Sequence, residues 1–68
     1  MEKFHVRLRQ IRMQRNKTQQ ETAEMLEMKL RGYQAYEGGE REPSIQKLIK
    51  LADFFDVSMD YLVGRTDS

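Results

Sequence analysis

The sequence predicts an all-α domain of five short helices. Three observations carry that prediction. Apolar residues recur at helical spacing in two long stretches, Phe4–Leu8–Ile11 and Ile45–Leu48–Ile49–Ala52–Phe55. Helix start and stop signals punctuate the chain around them: Thr18, Ser44 and Ser58 can cap helices, while Asn16, Gly38-Gly39 and Gly64 can end them. The chain is 68 residues long and has no cysteine, so neither disulfides nor thiolate metal sites can hold it together. A domain this small buries only about 60% of the surface its unfolded chain exposes. A compact helical core, helped by dimerisation, must then supply its stability.

The first helix is expected over residues 4–15, with Phe4, Leu8 and Ile11 as its apolar stripe and Asn16 as a left-handed stop. Arg12 lies at the edge of that stripe. Arg7, Arg9 and Arg15 read as solvated arginines, and Val6 and Met13 as scattered surface residues. His5 has no partner residues and is assigned no chemistry. The second helix, 19–26, opens with a capping box. The Thr18 hydroxyl can accept from an amide one turn in, and Glu21 can reach back to the Thr18 amide. Ala23 is small where a neighbouring helix must approach closely.

A third helix over Leu30–Glu37 places Tyr33 and Tyr36 inward, with Met28 packed on Tyr33 as a staple. Lys29, Leu30, Arg31, Gln34, Ala35 and Gly38 point outward. Gly38-Gly39 stops this helix. Pro43 forces Glu42 into an extended conformation, so the chain must loop before Ser44. The fourth helix is expected over Ile45–Phe55, with Leu51 at the edge of its stripe and Phe54 turned away from it. Ser58 caps a short fifth helix, Met59–Val63, stapled by Val57 against Leu62 and ended by Gly64. Residues 65–68 read as a frayed tail. Two short helices joined by a tight turn, meeting steeply around a small alanine, form a helix-turn-helix unit.

The ordered set of residues over 4–64 resembles the Cro/cI-type (Xre-type) helix-turn-helix regulators. It comprises Thr18-Gln19, Glu21, Ala23-Glu24, Leu26, Met28, Tyr36-Glu37, Gly39 and Arg41-Glu42-Pro43-Ser44. Leu48, Leu51-Ala52-Asp53, Phe55, Val57-Ser58, Asp60-Tyr61-Leu62 and Gly64 complete it. The resemblance implies a compact five-helix, phage-repressor-like DNA-binding domain that places its third helix in a major groove. It further implies a sequence-specific regulator, in the repressor sense, acting as a homodimer on double-stranded DNA. Base edges then fall to Lys29, Leu30, Arg31, Gln34 and Ala35, since Arg suits guanine, Gln suits adenine, and apolar atoms suit thymine methyls. Phosphates fall to Thr18, Gln19 and Arg41, and Glu40 and Glu42 should point away from DNA. Arg12 and Glu37 form a structural pair tying the first helix to the end of the third. Phe54 and Val63 are the candidates for the dimer interface.

The charge is uneven. Residues 1–36 carry eight Lys/Arg against four Glu, and residues 37–68 carry four against seven acids. One basic face for phosphate and one acidic face is one reading; solvated helix faces are the other. No catalytic constellation is present, with one histidine and scattered carboxylates, so a non-enzyme without metal or cofactor is expected. No apolar run suits a membrane span, and a cytoplasmic location follows by default.

Several positions depart from the family pattern. Lys17 and Thr22 stand where leucines are usual and should thin the core. Glu27 fills a turn position commonly held by glycine. Lys29 replaces the usual Ser/Thr cap, Gly32 lies inside the third helix, and Ala35 removes a polar side chain. With the acidic second half, these departures motivate an alternative: an interaction module or antitoxin-like partner-binding protein on the same fold.

Overall fold

The computed structural model describes residues 3–66 and contains the five helices in the expected order. They are α1 (Phe4–Gln14), α2 (Gln19–Met25), α3 (Leu30–Glu37), α4 (Ile45–Phe55) and α5 (Met59–Val63). α1 ends one residue earlier than the periodicity suggests, and so does α2.

All five helices end in the same way. The residue after each last turn has positive φ: Asn16 (57°), Glu27 (56°), Gly39 (77°), Asp56 (56°) and Gly64 (84°). At each stop, the next amide folds back to a carbonyl five residues earlier, as in Lys17 N–H to Arg12 O at 3.1 Å and Met28 N–H to Ala23 O at 3.0 Å. This paired closure satisfies carbonyls that a helix end otherwise leaves bare. Only two of the five stops are glycines, so the geometry is imposed at Glu27 on a side chain that disfavours it. A β-carbon in the left-handed region costs about 1–2 kcal/mol.

Helix starts are less uniform. Thr18 and Glu21 form the full capping box, with Glu21 N–H donating to Thr18 Oγ1 at 3.0 Å and Thr18 N–H to Glu21 Oε1 at 2.8 Å. The bond from the Thr18 amide holds the exposed Glu21 carboxyl below its ordinary value. Ser44 and Ser58 cap α4 and α5. Lys29 gives α3 no side-chain cap.

α1 packs on α3 and α5, α2 on α3, and α4 on α5. Phe4, Leu8, Ile11, Ala23, Leu26, Tyr33, Tyr36, Leu48, Leu51, Ala52, Phe55 and Leu62 form the core. The two tyrosines meet edge to face, their ring centroids 6.3 Å apart. Ala23 is fully buried where α2 meets α3. The Lys17 and Thr22 departures do not leave gaps. Thr22 is buried, and its hydroxyl donates to Thr18 O at 3.0 Å. The Lys17 ammonium lies 5.5 Å from the centroid of the Phe54 ring.

Four local expectations change. The buried face of α4 runs through Leu48, Leu51, Ala52 and Phe55. Leu51 takes the centre, which rolls Ile45 and Ile49 out to 68% and 44% exposure. Phe54 is half-buried beside Phe55 and beneath Lys17 rather than free on the surface. His5 is not a plain surface side chain, because its ring lies against Gly39, 3.3 Å from where a β-carbon would sit there. Arg65 and Thr66, expected in a frayed tail, are both hydrogen-bonded: Arg65 N–H donates to Asp60 O at 2.9 Å, and Thr66 O accepts from Arg7. Asp67 and Ser68 lie outside the described residues.

Candidate nucleic-acid interface

Two arginines of α1, Arg7 and Arg12, and Arg15 at its end tie the other elements to this helix. Arg7 donates to Tyr61 O at 3.0 Å and to Thr66 O, with its guanidinium 4.7 Å from the Tyr61 ring centroid. Arg15 donates to Phe55 O, the last residue of α4, at 2.9 Å. Arg12 donates to Lys17 O at 2.8 Å and to the Glu37 carboxylate. Each cation thus meets a helix C-terminal carbonyl or the closing turn beside one, where the helix dipole favours positive charge. Arg7 and Arg15, expected to be solvated, therefore serve the fold. Their positions carried a signal: they flank Ile11 at four residues on either side, on the border of the buried stripe. The basic first half is accordingly not one free cationic face.

Arg12 and Glu37 form the expected pair. Arg12 Nε donates to Glu37 Oε2 at 2.6 Å and Nη2 to Oε1 at 3.2 Å, and the side chains are 13% and 3% exposed. Tyr33 also donates its hydroxyl to Glu37 Oε2, and Gln19 Nε2 donates to Oε1 at 3.1 Å. Burial pushes the Glu37 carboxyl up, but the hydrogen bonds from Arg12, Tyr33 and Gln19 prevail and hold it below the usual range. The Arg12 guanidinium is held in its charged form chiefly by its bond to Glu37. Burial, and then Glu37, push the Tyr33 hydroxyl well above its ordinary value.

The network continues to the surface. Gln19 Oε1 accepts from Gln34 Nε2 at 3.1 Å. Polarity passes along this chain without choice. A carboxylate can only accept, so Gln19 must turn its amide nitrogen to Glu37 and its oxygen to Gln34. Gln34 then donates to Gln19 and keeps its own carbonyl oxygen and second N–H facing out. Sequence reasoning placed Gln19 and Gln34 on one surface but missed this link, which depends on the crossing of α2 over α3.

The outer face of α3 is open. Lys29, Leu30, Arg31, Gln34 and Gly38 are exposed, and Ala35 is intermediate. Gly32 is partly covered: a β-carbon there would stand 2.9 Å from the Met28 methyl. Arg31, Gln34, Ala35 and Glu40 line a shallow groove of about 400 Å³. Glu40 was expected to point away, yet it stands in this groove because the turn after Gly39 folds back on α3. Thr18 and Arg41 are exposed, at the start of α2 and in the loop after α3. Gln19 is more committed than a loose surface amide, since both ends of its side chain are engaged. Val63 is half-buried on α5 and Phe54 half-buried at the end of α4. Among the described residues, no cluster of His, Asp or Glu could hold a metal ion, and no helix is long and apolar enough to cross a membrane.

An arrangement of this kind, a short helix braced from behind and bare in front, defines a helix-turn-helix protein. The chain belongs to the helix-turn-helix family HTH_3, whose model matches residues 8–62. It is 42% identical to the HTH-type transcriptional regulator AnsR of Bacillus subtilis (strain 168), over 87% of this chain and 51% of that protein. It is 40% identical to the cryptic phage CTXphi transcriptional repressor RstR of Vibrio cholerae serotype O1, over 93% of this chain and 56% of that one. An uncharacterized HTH-type transcriptional regulator of Bacillus subtilis, YobD, is 39% identical over 90% of this chain and 54% of its own length. The chain thus spans about half the length of the curated relatives it matches. No solved structure gives a significant match. Family membership shows the helix-turn-helix domain, and the names of the relatives are those of transcriptional regulators.

Proposed function

We propose that this domain binds double-stranded DNA by sequence and regulates transcription, in the sense of a repressor, with α3 lying in the major groove. The observation that carries the reading is the bare outer face of α3, fixed from behind by Tyr33, Tyr36 and the Glu37 network. Arg31 and Gln34 meet base edges, with Lys29, Leu30 and Ala35 beside them. Thr18, Gln19 and Arg41 meet phosphates, where a helix start and a cation both favour negative charge. Two copies bind a two-fold related site with half-sites about 34 Å apart, one helical turn. Their contact uses α5 and the end of α4, including Val63 and the exposed part of Phe54. The site of action is cytoplasmic DNA, with no cofactor.

Because Arg7, Arg12 and Arg15 serve the fold, they should add little to phosphate binding. Binding should depend on salt with a slope of about 0.9 per phosphate contact made by the other cations. Selection of bound duplexes from a random pool, followed by salt titration, tests the reading. Arg31→Ala should relax preference at one position per half-site. Arg41→Ala should weaken all sequences alike and lower the salt slope by about one contact. Equal effects of both substitutions on every sequence would refute these roles. A second reading, a protein-interaction module, draws on the exposed Ile45 and Ile49 of α4. Absence of DNA binding at low salt would favour it.

A further inference from the structure

Glu40 is out of place on a surface meant for DNA. It lines the groove with Arg31, Gln34 and Ala35, although a carboxylate near phosphates is repelled. The backbone keeps it there. Its N–H donates to Ala35 O at 3.0 Å, and the next amide, of Arg41, reaches the same oxygen at 3.3 Å. Gly38 presents no side chain, and Glu40 Oε1 lies 3.7 Å from where a β-carbon would stand at that position. Glu40 thus projects from backbone fastened to the last turn of α3, not from a loop that can swing aside.

Charge alone would have this carboxylate weaken binding to every duplex equally. Its hydrogen-bonding chemistry is more selective. A carboxylate accepts and cannot donate. In the major groove, guanine offers only acceptors and thymine offers an acceptor and a methyl group, whereas cytosine N4 and adenine N6 donate. The adjoining guanidinium of Arg31 has the opposite need and suits guanine N7 and O6. An acceptor and a donor fork lining one groove match a guanine and a cytosine presented together.

We propose that Glu40 is a further specificity-determining residue, accepting from the N4 amino group of a cytosine while Arg31 takes guanine. The proposal rests on α3 being the DNA-reading helix, and it adds a base contact from outside that helix. Glu40 also penalises duplexes that place guanine or thymine at that point, since its carboxylate then meets acceptors without a donor in return.

The test compares the full chain with Glu40→Ala, first by selection from a random duplex pool. The selected duplex and its single-base variants are then titrated at one fixed salt concentration. The side chain is exposed, so the variant should keep the helical circular dichroism of the parent. The parent should select a cytosine at one position per half-site, with roughly tenfold or greater discrimination there. Glu40→Ala should lose that preference, keep the others, and bind random duplex more tightly. An unchanged motif with uniformly tighter binding would overturn the proposal and leave Glu40 as a simple repeller of phosphate. If neither chain enriches any sequence, the reading of α3 as a DNA reader fails, and this contact fails with it.

Discussion

Replacing Glu37 by Gln tests the brace behind α3. Glu37 receives four hydrogen bonds on two oxygens: Arg12 Nε and the Tyr33 hydroxyl on Oε2, Arg12 Nη2 and Gln19 Nε2 on Oε1. Glutamine has one acceptor oxygen and one amide nitrogen in their place. Whichever way the amide turns, its N–H groups confront two donors, and Arg12 keeps a charge with little solvent to take it up. Breaking a buried pair by removing one partner costs about 3–5 kcal/mol. A domain of this size has a total stability of only about 3–10 kcal/mol. At about 4–8 °C per kcal/mol, the melting temperature should fall by at least about 12 °C, with some preparations largely unfolded. Thermal unfolding followed by circular dichroism reads this directly. The double change Arg12→Met with Glu37→Leu should recover much of the loss, because no charge is then left buried. A Glu37→Gln melting temperature within about 2 °C of the parent would refute the reasoning, since that corresponds to well under 1 kcal/mol.

Four further outcomes follow from the same structure. Glu37 titrates below its ordinary value of about 4.3 in the fold, so it contributes stability above that pH and loses it as pH falls through the lower folded value. Denaturant unfolding measured from pH 5 downward should show this loss, and Glu37→Gln should remove most of it. Tyr33 is raised instead, so its contribution is present below about pH 10 and should fade as pH rises above it. Glu27→Gly should relieve about 1–2 kcal/mol of left-handed strain and return about 0.4–1 kcal/mol through the freer unfolded chain, so the melting temperature should hold or rise by a few degrees; a lower melting point would contradict the strain assigned to φ 56°. Ala23→Leu should cost about 1–3 kcal/mol in chemical denaturation by forcing α2 off α3, and a neutral result would mean that the contact can dilate.

Much of the fold was legible because its signals are local. The capping box needs only Thr18 and Glu21, and the α3 and α4 boundaries follow from caps, Gly38-Gly39 and Pro43. Asn16 announced its left-handed conformation by residue type, whereas the position of Glu27 stood out only against the family pattern, which commonly has glycine there. The Arg12–Glu37 pair came from resemblance and is present with the bidentate geometry implied. Less legible were the details of orientation. Ile45 and Ile49 share helical spacing with the buried residues of α4, and a period of 3.6 does not say which edge of a stripe rolls into solvent. Arg7 and Arg15 read as surface charges because their partners, Tyr61, Thr66 and Phe55, are at least forty residues away in the chain. Glu40 was misplaced because a loop residue's direction depends on how the closing turn folds back.

By itself the sequence determined five helices and their order, because caps, stops and apolar period act within a turn or two of chain. The packing of those helices decided the rest: which arginines are consumed in holding helix ends, how Gln19 meets Gln34, and that a carboxylate stands in the groove beside Arg31. Those facts are set by distances between segments remote in sequence, and only the assembled core fixes such distances.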